Sequence, residues 1–94
     1  VEIILAKSFS KELKKCPQYI QKQVFEVLEI AEKSNSIYDI PGCEELSGKQ
    51  NKSYFRIRVG DWRIGLKYEN GQIQVLHFIT IASRGDVYKH FPPK

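Results

Sequence analysis

The sequence predicts an α+β domain in the order β-α-α-β-β-β: an antiparallel sheet packed on two N-terminal helices and closed by a short C-terminal helical turn. Three observations carry this. Residues 54–68 alternate apolar and polar side chains with a period of two, residues 73–82 are almost continuously apolar, and residues 20–31 place apolar side chains at helical spacing. Helices followed by strands joined through tight turns give a segregated α+β architecture rather than alternating βαβ units. The 94 residues suffice for one domain with a single core, so residues 1–94 are read as one unit.

Residues 1–6, VEIILA, form a short apolar run that reads as a first strand or as a buried helical turn, which periodicity alone does not separate. Ser8 or Ser10 caps the helix that follows, with Phe9 and Leu13 on its buried side. Cys16-Pro17 ends that helix and places Pro17 in the first turn of the next. There Ile20, Val24, Val27, Leu28 and Ala31 form an apolar stripe facing the sheet, while Gln21, Lys22, Glu26, Glu29 and Glu32 face outward. Ser34-Asn35-Ser36 stops the second helix, and a mostly polar loop runs from Asp39 to about Lys52.

The sheet follows. Phe55, Ile57 and Val59 point one way and Arg56 and Arg58 the other, as in a half-buried strand. After a turn at Gly60-Asp61, Trp62, Ile64, Leu66 and Tyr68 share the apolar side and Arg63 and Lys67 the opposite one. Asn70-Gly71, which tolerates positive φ, supplies the second turn. The third strand, 73–82, suits a central position covered on both faces, with His77 as a hydrogen-bonded sheet histidine. Ser83 or Asp86 caps a last turn at 87–91, stopped by Pro92-Pro93.

The formal net charge is +4, and its placement says more than its size. Between Ser47 and Tyr68 stand six basic residues, Lys49, Lys52, Arg56, Arg58, Arg63 and Lys67, against one acid, Asp61. Such a bias favours an anionic partner, nucleic acid first. Cys16 and Cys43 lie far apart with no neighbouring histidine, so neither a zinc site nor a disulfide framework is expected, and the cytoplasm is the simplest compartment. No apolar run approaches a membrane span of about 20 residues.

Two fragments carry a family resemblance. In YFRIRVGDWRI, at 54–64, a tyrosine precedes alternating basic and aliphatic residues, a glycine, and an aromatic–arginine pair; in SRGDVY, at 83–88, an arginine stands four residues before a tyrosine. After a β-α-α opening, these resemble the RelE/ParE superfamily of toxins from bacterial and archaeal toxin–antitoxin pairs, over nearly the whole chain. The resemblance to RelE-type members implies metal-independent mRNA cleavage in the ribosomal A site, no cofactor, and inhibition by a cognate antitoxin. ParE-type members share the fold and poison DNA gyrase instead. A third possibility is an inactive relative that only binds antitoxin or RNA.

Metal-free RNA cleavage uses the ribose 2′-hydroxyl as nucleophile. It needs a base for that proton, cations for the phosphate in the transition state, and an acid for the departing 5′-oxygen. Arginine suits the second role, because its planar fork matches phosphate oxygens and it stays charged. Strand alternation puts Arg56, Arg58 and Arg63 on one face, with Arg84 arriving from the end of the last strand. By resemblance Arg63 takes the family's central phosphate-contacting position, and Arg84 and Tyr88 the positions of its closing arginine and tyrosine. A phenol is a better acid than base at neutral pH. The base stays open among Lys52, His90 and Tyr54, since Arg56 and Arg58 stand where RelE itself has lysines and Ser83 where many relatives have histidine. Lys49, Lys52, Lys67 and His90 are the expected flanking RNA contacts.

Overall fold

The computed structural model describes residues 1–46 and 53–92, with the side chain of His90 outside the description. In chain order the elements are β1 (Glu2–Leu5), α1 (Lys7–Leu13), α2 (Gln18–Lys33), a single 3-10 turn (Ile37–Asp39), β2 (Cys43–Glu45), β3 (Tyr54–Val59), β4 (Trp62–Asn70), β5 (Gln74–Ser83) and α3 (Val87–His90). The strands form one sheet in the order β1-β5-β4-β3-β2.

The α+β class and the three central strands are as the sequence predicts, with two additions. β1 runs parallel to β5, so the sheet is mixed rather than wholly antiparallel. Between β1 and the antiparallel strands, α1 and α2 carry the chain over one face, the kind of connection a parallel pair needs. The predicted loop from Asp39 to Lys52 contains β2, a three-residue antiparallel partner of β3 in which Glu44 stands opposite Arg56. Gly42 prepares it with φ of +74° and a carbonyl that accepts from the Arg58 amide at 3.1 Å.

The core lies between the two long helices and one face of the sheet. Phe9 and Leu13 of α1 and Ile20, Val24, Leu28 and Ala31 of α2 meet Phe55, Ile57, Val59, Ile64, Leu66, Leu76, Phe78 and Ile81, with Trp62 and Tyr68 packed partly buried against them. Helix starts differ from the predicted caps. Ala6, not a serine, occupies the N-cap of α1, and Ser8 Oγ instead donates to the Ile79 carbonyl at 2.6 Å, tying α1 to β5. Pro17 is the N-cap of α2, one residue outside the predicted first turn. At the other end Ser34 Oγ donates to the Ile30 carbonyl at 2.6 Å.

Two irregularities shape the second face. The β3–β4 hairpin closes in two residues because Gly60 takes a φ of +58°. Further along, Leu66 pairs with Phe78 but Gly65 with Thr80, so Ile79 is a bulge residue with no counterpart on β4. Over Gly65 lies Phe91, 2% exposed, with Tyr54 edge-on to it at 5.3 Å between centroids. Val87, Phe91 and Val75 are buried outside the main core, so α3 and Phe91 make a second, small layer on the side of the sheet away from α1 and α2. Ile73 is 60% exposed and precedes β5 rather than opening it.

Candidate functional site

Pleating puts Arg56 and Arg58 of β3 on the second face, beside Arg63 of β4. Arg58 and Arg63 are direct cross-strand partners, whereas Arg56 faces Gly65, which has no side chain to offer it. The chain leaves β5 at Ser83, and the Arg84 amide donates to the Asp61 carbonyl at 2.8 Å, which pins the exit turn to the β3–β4 hairpin. Asp86 shapes that turn: its carboxylate accepts from Ser83 Oγ at 3.0 Å and meets Lys89 Nζ at 3.1 Å. It stands at the N-cap of α3 without bonding the helix end through its side chain, unlike the predicted cap. Tyr88 follows in α3, half exposed.

These elements bring Arg56, Arg58, Arg63, Arg84 and Tyr88 together as the lining of one cleft of about 230 Å³. Arg63 is its floor, 7% exposed, with Nη1 donating to the carbonyls of Gly60 at 2.7 Å and Trp62 at 2.9 Å. Two backbone acceptors of its own turn thus fix the guanidinium while its remaining donors are left for a ligand. Burial lowers the Arg63 pKa, and the charges of Arg58, Arg56 and Arg84 lower it further, with Tyr88 acting the other way. Arginine nevertheless stays cationic at neutral pH, so the effect is a crowded positive field that an anion relieves. Among the described residues, Arg56 alone of the four has a carboxylate partner, Glu44 Oε2 at 2.6 Å.

Other expected residues fall elsewhere. Lys67 is exposed two places beyond Gly65 on β4 and does not line the cleft. Tyr54 packs on Phe91. Lys49, Lys52 and the imidazole of His90 lie outside the described residues. His77 Nε2 donates a 3.2 Å hydrogen bond to Glu69 Oε2, as a sheet histidine should. Sequence reasoning missed Glu44 and Phe91. The Pro41-Gly42 turn before Cys43-Glu44-Glu45, an acidic pair able to face a basic strand, was the available signal for the first. Phe91 had none, because its partner is a glycine. No three His, Cys, Asp or Glu among the described residues gather closely enough to hold a metal ion. No described helix is long and apolar enough to cross a membrane.

The chain resembles known proteins along almost its full length. Residues 3–88 match the family described as ParE toxin of type II toxin–antitoxin systems. Toxin RelE3 of Methanocaldococcus jannaschii is 34% identical over 93 residues, covering 98% of this chain and all of that one. The RelB–RelE antitoxin–toxin complex of Methanococcus jannaschii contains a chain of TM-score 0.72 and 33% identity, covering 95% of this chain and 99% of that one. An archaeal RelE–RelB complex from Pyrococcus horikoshii gives a TM-score of 0.71 at 21% identity, over 90% of this chain and 96% of that one, a likeness of fold.

Proposed function

Because this chain belongs to the ParE toxin family of type II toxin–antitoxin systems and is RelE-like throughout, we propose that it is a ribosome-dependent mRNA endonuclease that arrests translation. The supporting observation is the cleft itself: four guanidiniums and a phenol around a space of about 230 Å³. Arg63, fixed by its two carbonyl contacts, grips the non-bridging oxygens, and Arg56, Arg58 and Arg84 stabilise the charge that builds on them. Glu44, held at 2.6 Å from Arg56, accepts the proton of the ribose 2′-hydroxyl. The 2′-oxygen bonds to phosphorus, the bond from phosphorus to the 5′-oxygen breaks, and Tyr88 protonates that oxygen. The products are a 2′,3′-cyclic phosphate and a free 5′-hydroxyl.

When silent, the basic face is covered by a cognate antitoxin, a partner supported by the relatives solved as RelB–RelE complexes. The test is inhibition of cell-free translation by Arg63→Ala and Arg84→Ala, each expected to lose about a hundredfold in potency. Full inhibition by both variants would remove the cleft from the mechanism. The family's ParE description favours a second reading, poisoning of DNA gyrase. Induction in cells separates the two: codon-phased mRNA 5′ ends support cleavage, and an SOS response without them supports gyrase.

A further inference from the structure

We infer that Asp86 is a positioning residue for the cleft: through Ser83 it holds the link between β5 and α3 in the shape that turns Arg84 and Tyr88 toward the phosphate. The inference deepens the reading of the cleft as a phosphodiester site and rests on it.

The link runs from Arg84 to Asp86, and the side chains it delivers, Arg84 and Tyr88, complete a lining begun by Arg56, Arg58 and Arg63 on the strands. Little packing steadies it. Arg84, Gly85 and Asp86 are all exposed, and a Cβ added at Gly85 would meet no atom within 4 Å. The charge of Arg84 also acts against that of Arg63, so repulsion drives an arginine on an exposed turn outward into water. Arg63 resists the same repulsion because it is buried and gripped by two carbonyls of its own turn. Arg84 has to be held by the shape of its link.

Backbone bonds set the two ends. The Arg84 amide donates to the Asp61 carbonyl at 2.8 Å, and the Asp86 amide to the Ser83 carbonyl at 2.9 Å. The Asp86 side chain then closes the link: Oδ2 accepts from Ser83 Oγ at 3.0 Å, tying the last residue of β5 to the residue before α3. A hydrogen bond to a carboxylate is stronger than one between neutral groups. The ion pair of Asp86 Oδ1 with Lys89 Nζ adds less, because the two side chains are 63% and 68% exposed and water screens them. Beyond the link, Val87 is buried and seats α3, which fixes where Tyr88 begins its reach. Asp86 itself does not line the cleft, so it acts through Arg84 and Tyr88 and touches no phosphate.

Inorganic phosphate is titrated into the free protein while NMR follows the side-chain Nε–H signals of Arg63 and Arg84, in the wild type, Asp86→Ala, Asp86→Asn and Ser83→Ala; backbone amide spectra check that each variant folds. In the wild type both signals move together and saturate. In Asp86→Ala and Ser83→Ala, Arg63 still saturates while the displacement of Arg84 falls at least about threefold, as when a lost hydrogen bond no longer favours the placed arrangement over the swung one. Asp86→Asn, whose amide oxygen still accepts from Ser83, keeps the Arg84 response. Charge alone predicts no such loss in Asp86→Ala, because removing a carboxylate near a cationic cleft strengthens phosphate binding. An unmoved Arg84 in the wild type, a full Arg84 displacement in Asp86→Ala or Ser83→Ala, its loss in Asp86→Asn, or an equal loss at Arg63 and Arg84 overturns the proposal. Absence of an Arg63 response in the wild type overturns the reading of the cleft as a phosphate site and the proposal with it, so the two failures are distinguishable.

Discussion

Gly65→Ala should loosen the small layer that carries Tyr88. A Cβ at Gly65 would stand 2.7 Å from Cγ of Phe91 and 2.8 and 2.9 Å from its Cδ atoms. Carbon atoms prefer about 3.5–4.0 Å, so the ring has to move by roughly an ångström. If it slides within its site, the cost is that of overpacking, about 1–3 kcal/mol. Should it leave, the loss approaches the about 3–5 kcal/mol of a Phe→Ala truncation, part of it the edge contact with Tyr54, about 0.5–1.5 kcal/mol. Against either stands about 0.5–1 kcal/mol recovered because alanine has less backbone freedom to lose. The background decides the matter. In Phe91→Ala the new methyl meets no ring, and Gly65→Ala becomes neutral or stabilising by up to about 1 kcal/mol. Urea unfolding of the four proteins closes a double-mutant cycle, with an expected coupling of about 1–3 kcal/mol. An equal cost of Gly65→Ala in both backgrounds would refute the reasoning. Translation inhibition should fall in Gly65→Ala as well, because Tyr88 rides on the helix that Phe91 anchors.

Arg58→Gln removes one of two like charges that face each other across β3 and β4; stability in urea should rise by about 0.2–1 kcal/mol while translation inhibition falls, and a less stable variant would contradict this. Glu44→Gln should slow single-turnover cleavage of ribosome-bound mRNA by about 10²–10⁴-fold, with stability within about 1 kcal/mol because the glutamate side chain is 62% exposed; wild-type cleavage would take Glu44 off the proton path. Burial pushes the Cys43 thiol up from 9.0 to about 11, against the charge of Arg56 and with a smaller upward push from Glu44. The unfolded chain therefore ionises there before the native one, so this contribution to stability is whole below pH 9.0 and declines as pH rises toward about 11. Urea midpoints of wild type should drop more steeply than those of Cys43→Ala across that window, and parallel curves would count against it.

The sequence displays β3 and β4 through period-two alternation of apolar and polar side chains, and β5 as an almost continuous apolar run. Arg56, Arg58 and Arg63 share a face for that reason alone, and the spacing to Arg84 and Tyr88 brings the others to the same cleft. What escaped the sequence depends on partners remote in the chain. Cys43–Glu45 is too short to show a period, and it becomes a strand only because β3 offers an edge. The parallel docking of β1 leaves no local mark, since an apolar run of six reads alike in either direction. Ser8 looks like a cap but finds the Ile79 carbonyl exposed by a bulge that only the pairing of β4 with β5 creates. Glu44 meets Arg56 through that unforeseen strand, and Phe91 settles over a glycine whose significance is the absence of a side chain.

The N-terminal strand borders the sheet through β5, the last strand to be synthesised, and the same late segment delivers Arg84 and Tyr88. Translation proceeds at about 5–20 residues per second, so β1 waits some seconds for its neighbour. A nascent chain interrupted before this point holds three of the cleft's guanidiniums but neither Arg84, Tyr88 nor the strand that β1 pairs with. The candidate cleft is thus incomplete until β5 and α3 have both been made.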